Sequence, residues 1–266
     1  MPSPSLIELH NVGVRYRLPR GGIRSIKEYV VQAVRGRLQF DDFWALRDIT
    51  LSVGRGERLG VIGRNGAGKS TLLQLMARVL TPSIGSIAVR GRVAPLLQLG
   101  AGFDPELSGR ENVFLNGALL GMKRARIRER FDSIVEFAEL GQFIDAPLRT
   151  YSTGMAARLG FAVATECDPD ILLLDEVLAV GDEAFQAKCV ERLRSFTDRG
   201  VTMVVVTHDP TFVVNECTRA AWIHDKVIGA EGDPLSVVSA YHAFLSAQAR
   251  QPAAEPLDAP AIGALT

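Results

Sequence analysis

Hydrophobic residues recur near every second position from Leu6 to Tyr16 (Leu6, Ile7, Leu9, Val12, Val14, Tyr16), the pattern of a strand in a half-exposed sheet. Strand character resumes over 44–53, and a turn at Gly54 and Gly56 leads into a third such run at 58–62. The spacing becomes helical over 71–76, followed by two short strands within 84–99 that break near Gly91. From Pro105 to about Ala164 the helical period holds, in segments 111–122 and 124–140 and a third starting near Thr153. Residues 171–174 (Ile-Leu-Leu-Leu) and 201–206 (Val-Thr-Met-Val-Val-Val) are unbroken apolar runs, as in strands buried on both faces. A helix over 183–199 lies between them. Strand, helix and strand in that order predict a parallel sheet with a crossover, and so an α/β fold.

Two segments depart from this alternation. Over 20–38, Ile23, Ile26, Tyr29, Val30, Ala33 and Val34 recur at helical spacing among Arg20, Arg24, Lys27, Arg35 and Arg37. They predict a short basic amphipathic helix ending at Gly36. Such a helix either docks on its own domain or meets a membrane surface or a membrane-embedded partner. Residues 249–266 are rich in Ala and Pro with little periodicity and are expected to lack fixed structure.

Composition narrows the class. The chain has 266 residues, 47% hydrophobic and 23% charged, ordinary for a globular protein with ample core. Its 30 basic and 30 acidic residues balance, so nucleic acid is not expected as a partner. Cys167, Cys189 and Cys217 form no C-x-x-C pair and are expected to be reduced thiols of a cytosolic protein. No uncharged apolar run approaches the roughly 20 residues a spanning helix needs, and no signal segment is evident. Action at a membrane is therefore expected to go through a partner.

Residues 63–71 read Gly-Arg-Asn-Gly-Ala-Gly-Lys-Ser-Thr and match the phosphate-cradling pattern G-x-x-x-x-G-K-[ST] at Gly63, Gly68, Lys69 and Ser70. Three glycines let consecutive backbone N–H groups converge on phosphate oxygens, and a helix opening at Lys69 adds its positive dipole end. The flanking runs supply the strand–loop–helix context of such a loop. Lys69 is expected to reach the β- and γ-phosphates and the Ser70 hydroxyl to hold Mg²⁺.

Other polar residues fall at strand and helix ends. The buried run 171–174 ends in Asp175 and Glu176, where one carboxylate suits Mg²⁺ and the next could polarise water as a general base. The run 201–206 ends in Thr207-His208-Asp209, and a parallel neighbour would deliver His208 near the γ-phosphate. Gln98, after the strand at 93–97, is a candidate for contacting Mg²⁺ or the water. Tyr151-Ser152-Thr153-Gly154-Met155 precedes a helix, so Ser152 is either an ordinary cap or part of an anion site.

P-loop, Gln, Ser-x-Gly, Asp-Glu and His, in this order and at these spacings, resemble the nucleotide-binding subunits of ABC transporters over roughly residues 6–245. The resemblance implies a P-loop NTPase of ABC type: a mostly parallel core sheet, an N-terminal antiparallel β subdomain and a helical subdomain at about 105–165. Residues 1–245 would form one ATPase domain with an amphipathic insertion at about 20–40, and 246–266 a tail. ATP would be sandwiched between the P-loop of one subunit and the Ser-x-Gly loop of the other, so that a homodimer builds two sites. Gly63, Arg64, Asn65, Gly66, Ala67, Gly68, Lys69, Ser70 and Thr71 would bind the nucleotide, with Mg²⁺ at Ser70, Gln98 and Asp175. Ser152 and Gly154 would contact the γ-phosphate across the dimer. Glu176 would be the catalytic base, His208 the switch histidine and Gln98 the Q-loop residue. Tyr16 lies where the family's adenine-stacking aromatic sits, and Trp44 is a second candidate.

Against the family's usual Leu-Ser-Gly-Gly-Gln, this chain has Tyr151, Thr153 and Met155 in place of Leu, the first Gly and Gln. That variant is similar to those of exporters of lipid-linked polysaccharides: O-antigen, capsule, teichoic acid and cell-wall galactan. So are 175–182 (Asp-Glu-Val-Leu-Ala-Val-Gly-Asp), 185–189, 99–103 and 109–112. The implied protein is an ATPase subunit, peripheral at the cytoplasmic face of a bacterial inner membrane, beneath a separately encoded integral membrane permease. Too little chain follows residue 245 for the glycan-binding β-sandwich some O-antigen members append, so teichoic acid, capsule or galactan exporters are expected to match better. The competing readings are an ATPase of another ABC transporter class and a soluble ATPase acting on DNA or the ribosome.

Overall fold

A computed structural model describes residues 5–19, 40–96, 100, 102–175 and 181–250. Strands β1 (Ser5–Pro19) and β2 (Phe40–Gly54) pair antiparallel, and β4 (Ile84–Val89) adds to the free edge of β1, giving a three-stranded sheet. The second sheet has six strands: β5 (Val93–Leu96), β6 (Ile171–Asp175), β7 (Thr202–Val206), β3 (Arg58–Ile62), β8 (Arg219–His224) and β9 (Val227–Gly232), in that spatial order. All its pairings are parallel except the β8–β9 hairpin. The parallel core sheet and antiparallel N-terminal sheet are those expected. Residues 171–174 and all of β7 are buried, because helices cover both faces of a parallel sheet.

Helix α1 (Lys69–Met76) packs its Leu72, Leu73, Leu75 and Met76 into a core shared by both sheets. Helices α2 (Gly109–Leu119), α3 (Arg124–Ala138) and α4 (Thr153–Ala164) close around a separate cluster that includes Val113, Ile134 and Leu159. These three helices lie within residues 105–165. Helix α2 starts earlier than 111 because Ser108 and Glu111 form a capping box, and it stops at Leu119 because Gly121 turns left-handed (φ 80°). Helix α5 (Glu183–Asp198) follows β6, and α6 (Pro210–Glu216) follows β7.

Helix α7 (Pro234–Arg250) runs through residue 245. Val237, Val238, Tyr241 and Phe244 of this helix pack with Trp222 of β8, and that burial holds the helix on the sheet. The amphipathic segment 20–38 and residues 251–266 lie outside the described residues. No helix among the described residues is long and apolar enough to cross a membrane. All three cysteines are free, and burial pushes the thiols up, Cys167 to about 11 and Cys189 and Cys217 to about 12.

Candidate functional site

The P-loop leaves the C-terminal end of β3, an interior strand flanked by β7 and β8. Two of its glycines have no substitute. Gly63 has φ 151°, and a Cβ there would lie 2.4 Å from the carbonyl oxygen of Ile223. Gly68 has φ 115°, and a Cβ would meet the Ala45 carbonyl oxygen at 2.6 Å. Gly68 is also the N-cap of α1 and has no side chain to bond the first-turn N–H groups, which leaves them to an anion. Lys69 is only 6% exposed, and its Nζ donates to the Gly63 and Arg64 carbonyl oxygens at 2.7 and 3.2 Å. Its ammonium is thereby fixed at the centre of the loop.

Asn65, Gly66, Gly68, Lys69, Ser70 and Thr71 line a 350 Å³ cavity, whose opposite wall is Tyr16, Phe43, Ala45 and Lys226. A larger cavity of 790 Å³ lies between the end of α1, the start of β5 and the α2–α3 turn, and holds none of the motif residues. Chemistry, not volume, marks the smaller one. Tyr16 pairs directly opposite Phe43 across the β1–β2 ladder, and the two residues are 41% and 50% exposed. Trp44 pairs opposite Arg15, which puts it on the other face of the ladder, outside that cavity. The Arg15 and Arg47 guanidinium groups stand 5.5 and 5.3 Å from its ring.

Phe43 and Lys226 are the two residues that sequence reasoning missed. Lys226 sits in the β8–β9 turn, where Asp225 and Lys226 both have positive φ (44° and 72°), as in a type I′ hairpin. Its ammonium donates to the Gly66 carbonyl and lies 5.4 Å from the Phe43 ring centroid. Nothing local flags either residue, since both reach the cavity through strand pairing.

Strand register gathers the remaining groups at one sheet edge. Asp175 is level with Val206, and Val206 is level with Val61, just before the P-loop. With two inter-strand spacings of ~4.8 Å, Asp175 stands roughly 10 Å across the sheet from β3. Thr207 N–H donates to the Val61 carbonyl at 3.4 Å, and the exposed His208 follows it. Among the described residues no group of three or more His, Cys, Asp or Glu could hold a metal. The Ser70 hydroxyl and the Asp175 carboxylate are hard oxygen donors of the kind that Mg²⁺ takes. Gln98 and Glu176 lie outside the described residues.

Ser152 and Gly154 are not brought to this cavity. Ser152 caps α4, its Oγ accepting the Met155 N–H at 3.2 Å, and it is exposed. Gly154 has no conformational need to be glycine: its φ is not positive, and the nearest atom to an added Cβ would be Ser152 Oγ at 3.8 Å. Tyr151 anchors this loop by donating its hydroxyl to the Phe143 carbonyl at 2.6 Å. The ring's hydroxyl fits because position 109 is glycine; a Cβ there would lie 2.2 Å from it.

Comparison with known proteins gives the family. The ABC transporter family pattern matches residues 46–179. The O-antigen export system ATP-binding protein RfbB of Myxococcus xanthus is 47% identical over 90% of this chain, which spans 56% of that protein's length. Its namesake in Klebsiella pneumoniae is 45% identical over 89% of this chain and 97% of its own. The teichoic acids export ATP-binding protein TagH of Lactiplantibacillus plantarum is 37% identical over 90% of this chain and 64% of its own. These identities run against the expected preference for teichoic acid over O-antigen relatives. The near-complete match to the Klebsiella protein gives the reason: an O-antigen export protein need not carry a long C-terminal extension. In fold, the chain is similar to a dimeric ATP-binding cassette bound to ADP and phosphate, with a TM-score of 0.69 and 23% identity over 86% of this chain and 98% of that one. The chain belongs to the ABC transporter family, in the branch that holds the polysaccharide-export ATP-binding proteins.

Proposed function

We propose that this chain is the ATP-hydrolysing subunit of an exporter of lipid-linked polysaccharide, working as a homodimer at the cytoplasmic face of the cell membrane beneath a separately encoded permease. One observation carries the dimer: the exposed Ser152 and the half-buried, unforced Gly154 form a helix N-terminus that the P-loop cavity of the same chain does not use. A glycine with no need of its own conformation suits the close approach of something outside the chain. Each nucleotide would lie between the loop 63–71 of one protomer and Ser152 and Gly154 of its partner.

Within a protomer, residues 63–71 and Lys69 bind phosphates, Ser70, Asp175 and Gln98 hold Mg²⁺, and Tyr16 and Phe43 take the base. Mg²⁺ supplies charge neutralisation at the phosphates. Glu176 polarises the attacking water, and His208 senses the γ-phosphate. Closure follows from the γ-phosphate bridging Lys69 and the partner's Ser152, and its hydrolysis reopens the pair.

Base–aromatic stacking is worth roughly 1–3 kcal/mol per base. Tyr16→Ala and Phe43→Ala are each expected to weaken ATP affinity about 5- to 150-fold, read by titration calorimetry. Trp44→Ala, on the other face, is expected to change it less than about twofold. A loss confined to Trp44→Ala would reverse the assignment. The transport reading is tested by depleting the gene and following lipid-linked glycans. Their accumulation inside the cell supports export, whereas unchanged glycan levels at the surface would overturn it.

A further inference from the structure

Two cationic side chains line the P-loop cavity, Lys69 and Lys226, and no carboxylate joins them in its lining. Lys69 is committed to the loop, where its ammonium donates to the Gly63 and Arg64 carbonyl oxygens. Lys226 is held differently. Its carbonyl oxygen accepts the Arg47 N–H of β2 at 2.8 Å, while its ammonium donates to the Gly66 carbonyl and lies 5.4 Å from the Phe43 ring centroid. One residue thus spans the cavity from the phosphate loop on one wall to the aromatic rings on the other.

The backbone makes lysine a costly residue at this position. His224 pairs with Val227, so Asp225 and Lys226 are the two central residues of the β8–β9 turn. Their φ values of 44° and 72° are left-handed, and the second such position of a two-residue hairpin favours glycine. The lysine side chain takes no part in closing the turn. Its contacts are with the loop and the aromatic wall of the cavity.

We infer that Lys226 is a nucleotide-binding residue whose ammonium meets the α-phosphate. The inference rests on the nucleotide site proposed above. With the base on Tyr16 and Phe43, and the β- and γ-phosphates at Lys69 and the opening of α1, the ribose and α-phosphate cross the gap that Lys226 spans. The α-phosphate is the anion in that stretch. Its oxygens make stronger, charge-assisted bonds to an ammonium than the neutral Gly66 carbonyl does. The side chain exchanges one partner for the other when the nucleotide enters. ATP and ADP carry the same α-phosphate, so Lys226 holds both alike and does not tell one from the other.

The test is titration calorimetry of the full chain with ATP and with ADP, Mg²⁺ being withheld so that ATP stays intact. Lys226→Gly isolates the side chain, because glycine suits this φ and keeps the carbonyl that Arg47 uses. It is expected to weaken both nucleotides by the same factor, about 10-fold or more, as the loss of one hydrogen bond to a charged group does. Its melting temperature is expected to stay within a few degrees of wild type, so that the lost affinity is not lost fold. Lys226→Arg keeps the cation and is expected to bind both nucleotides within about threefold of wild type. Wild-type affinity in Lys226→Gly would remove Lys226 from binding, and a loss for ATP alone would move it to the γ-phosphate; either overturns the assignment. So does a Lys226→Arg as weak as Lys226→Gly, since the charge would then be irrelevant. Wild-type nucleotide affinity in Lys69→Met would instead sink the proposed site itself, whatever Lys226 does.

Discussion

Replacing Glu176 by Gln is expected to slow ATP hydrolysis by a factor of about 10²–10⁴, the usual contribution of a positioned general base. The amide keeps the size of the carboxylate but cannot take a proton from water. Asp175, its sequence neighbour at the end of β6, is level with Val206 and Val61, at the sheet edge from which the P-loop leaves. Binding is expected to survive, because the phosphate contacts proposed above come from 63–71, Lys69 among them, and the variant should accumulate as an ATP-bound dimer. Single-turnover hydrolysis and light scattering read the two properties separately. Wild-type turnover in Glu176→Gln would remove Glu176 from the chemistry.

Ser152→Ala is expected to have the second-largest effect, on association and not on nucleotide affinity. A hydrogen bond to a charged group is worth about 1.5–3 kcal/mol, and two-fold symmetry loses it twice. The dimer dissociation constant with ATP should therefore rise roughly 10²- to 10⁴-fold. The same substitution removes the bond to the Met155 N–H, a helix cap worth about 1 kcal/mol of stability. The two roles separate cleanly. ATP affinity of the monomer should stay within about twofold and the melting temperature should drop by only a few degrees. A variant that melts earlier yet dimerises normally would show that Ser152 is a cap and nothing more.

The parts of the site that were legible in the sequence are those made of contiguous chain. The strand read at 58–62 is Arg58–Ile62, and the helix opening read at Lys69 is where α1 begins. All three glycines read as phosphate-cradling have positive φ, and two of them, Gly63 and Gly68, are crowded by the Ile223 and Ala45 carbonyls and admit no side chain. The runs 171–174 and 201–206 are buried parallel neighbours, since an unbroken apolar strand can be satisfied only with both faces covered. Helix ends were less legible, because caps such as Ser108–Glu111 and the left-handed Gly121 decide them. The hairpin β8–β9 and helix α7 had too mixed a pattern to read in advance, and α7 is held on the sheet by packing on Trp222.

Side-chain type and local period are written along the chain, and they specify a phosphate loop, a carboxylate at a strand tip and an α/β core. Which aromatic faces the nucleotide is not written there. Tyr16 and Phe43 share a face, and Trp44 does not, because of how β1 registers on β2 across a long intervening segment. Lys226 reaches Gly66 for the same reason: the contact joins residues far apart in sequence through the pairing of β3, β8 and β9. A shift of one residue in a strand's register turns every side chain to the opposite face, so such contacts exist only once the sheets have paired.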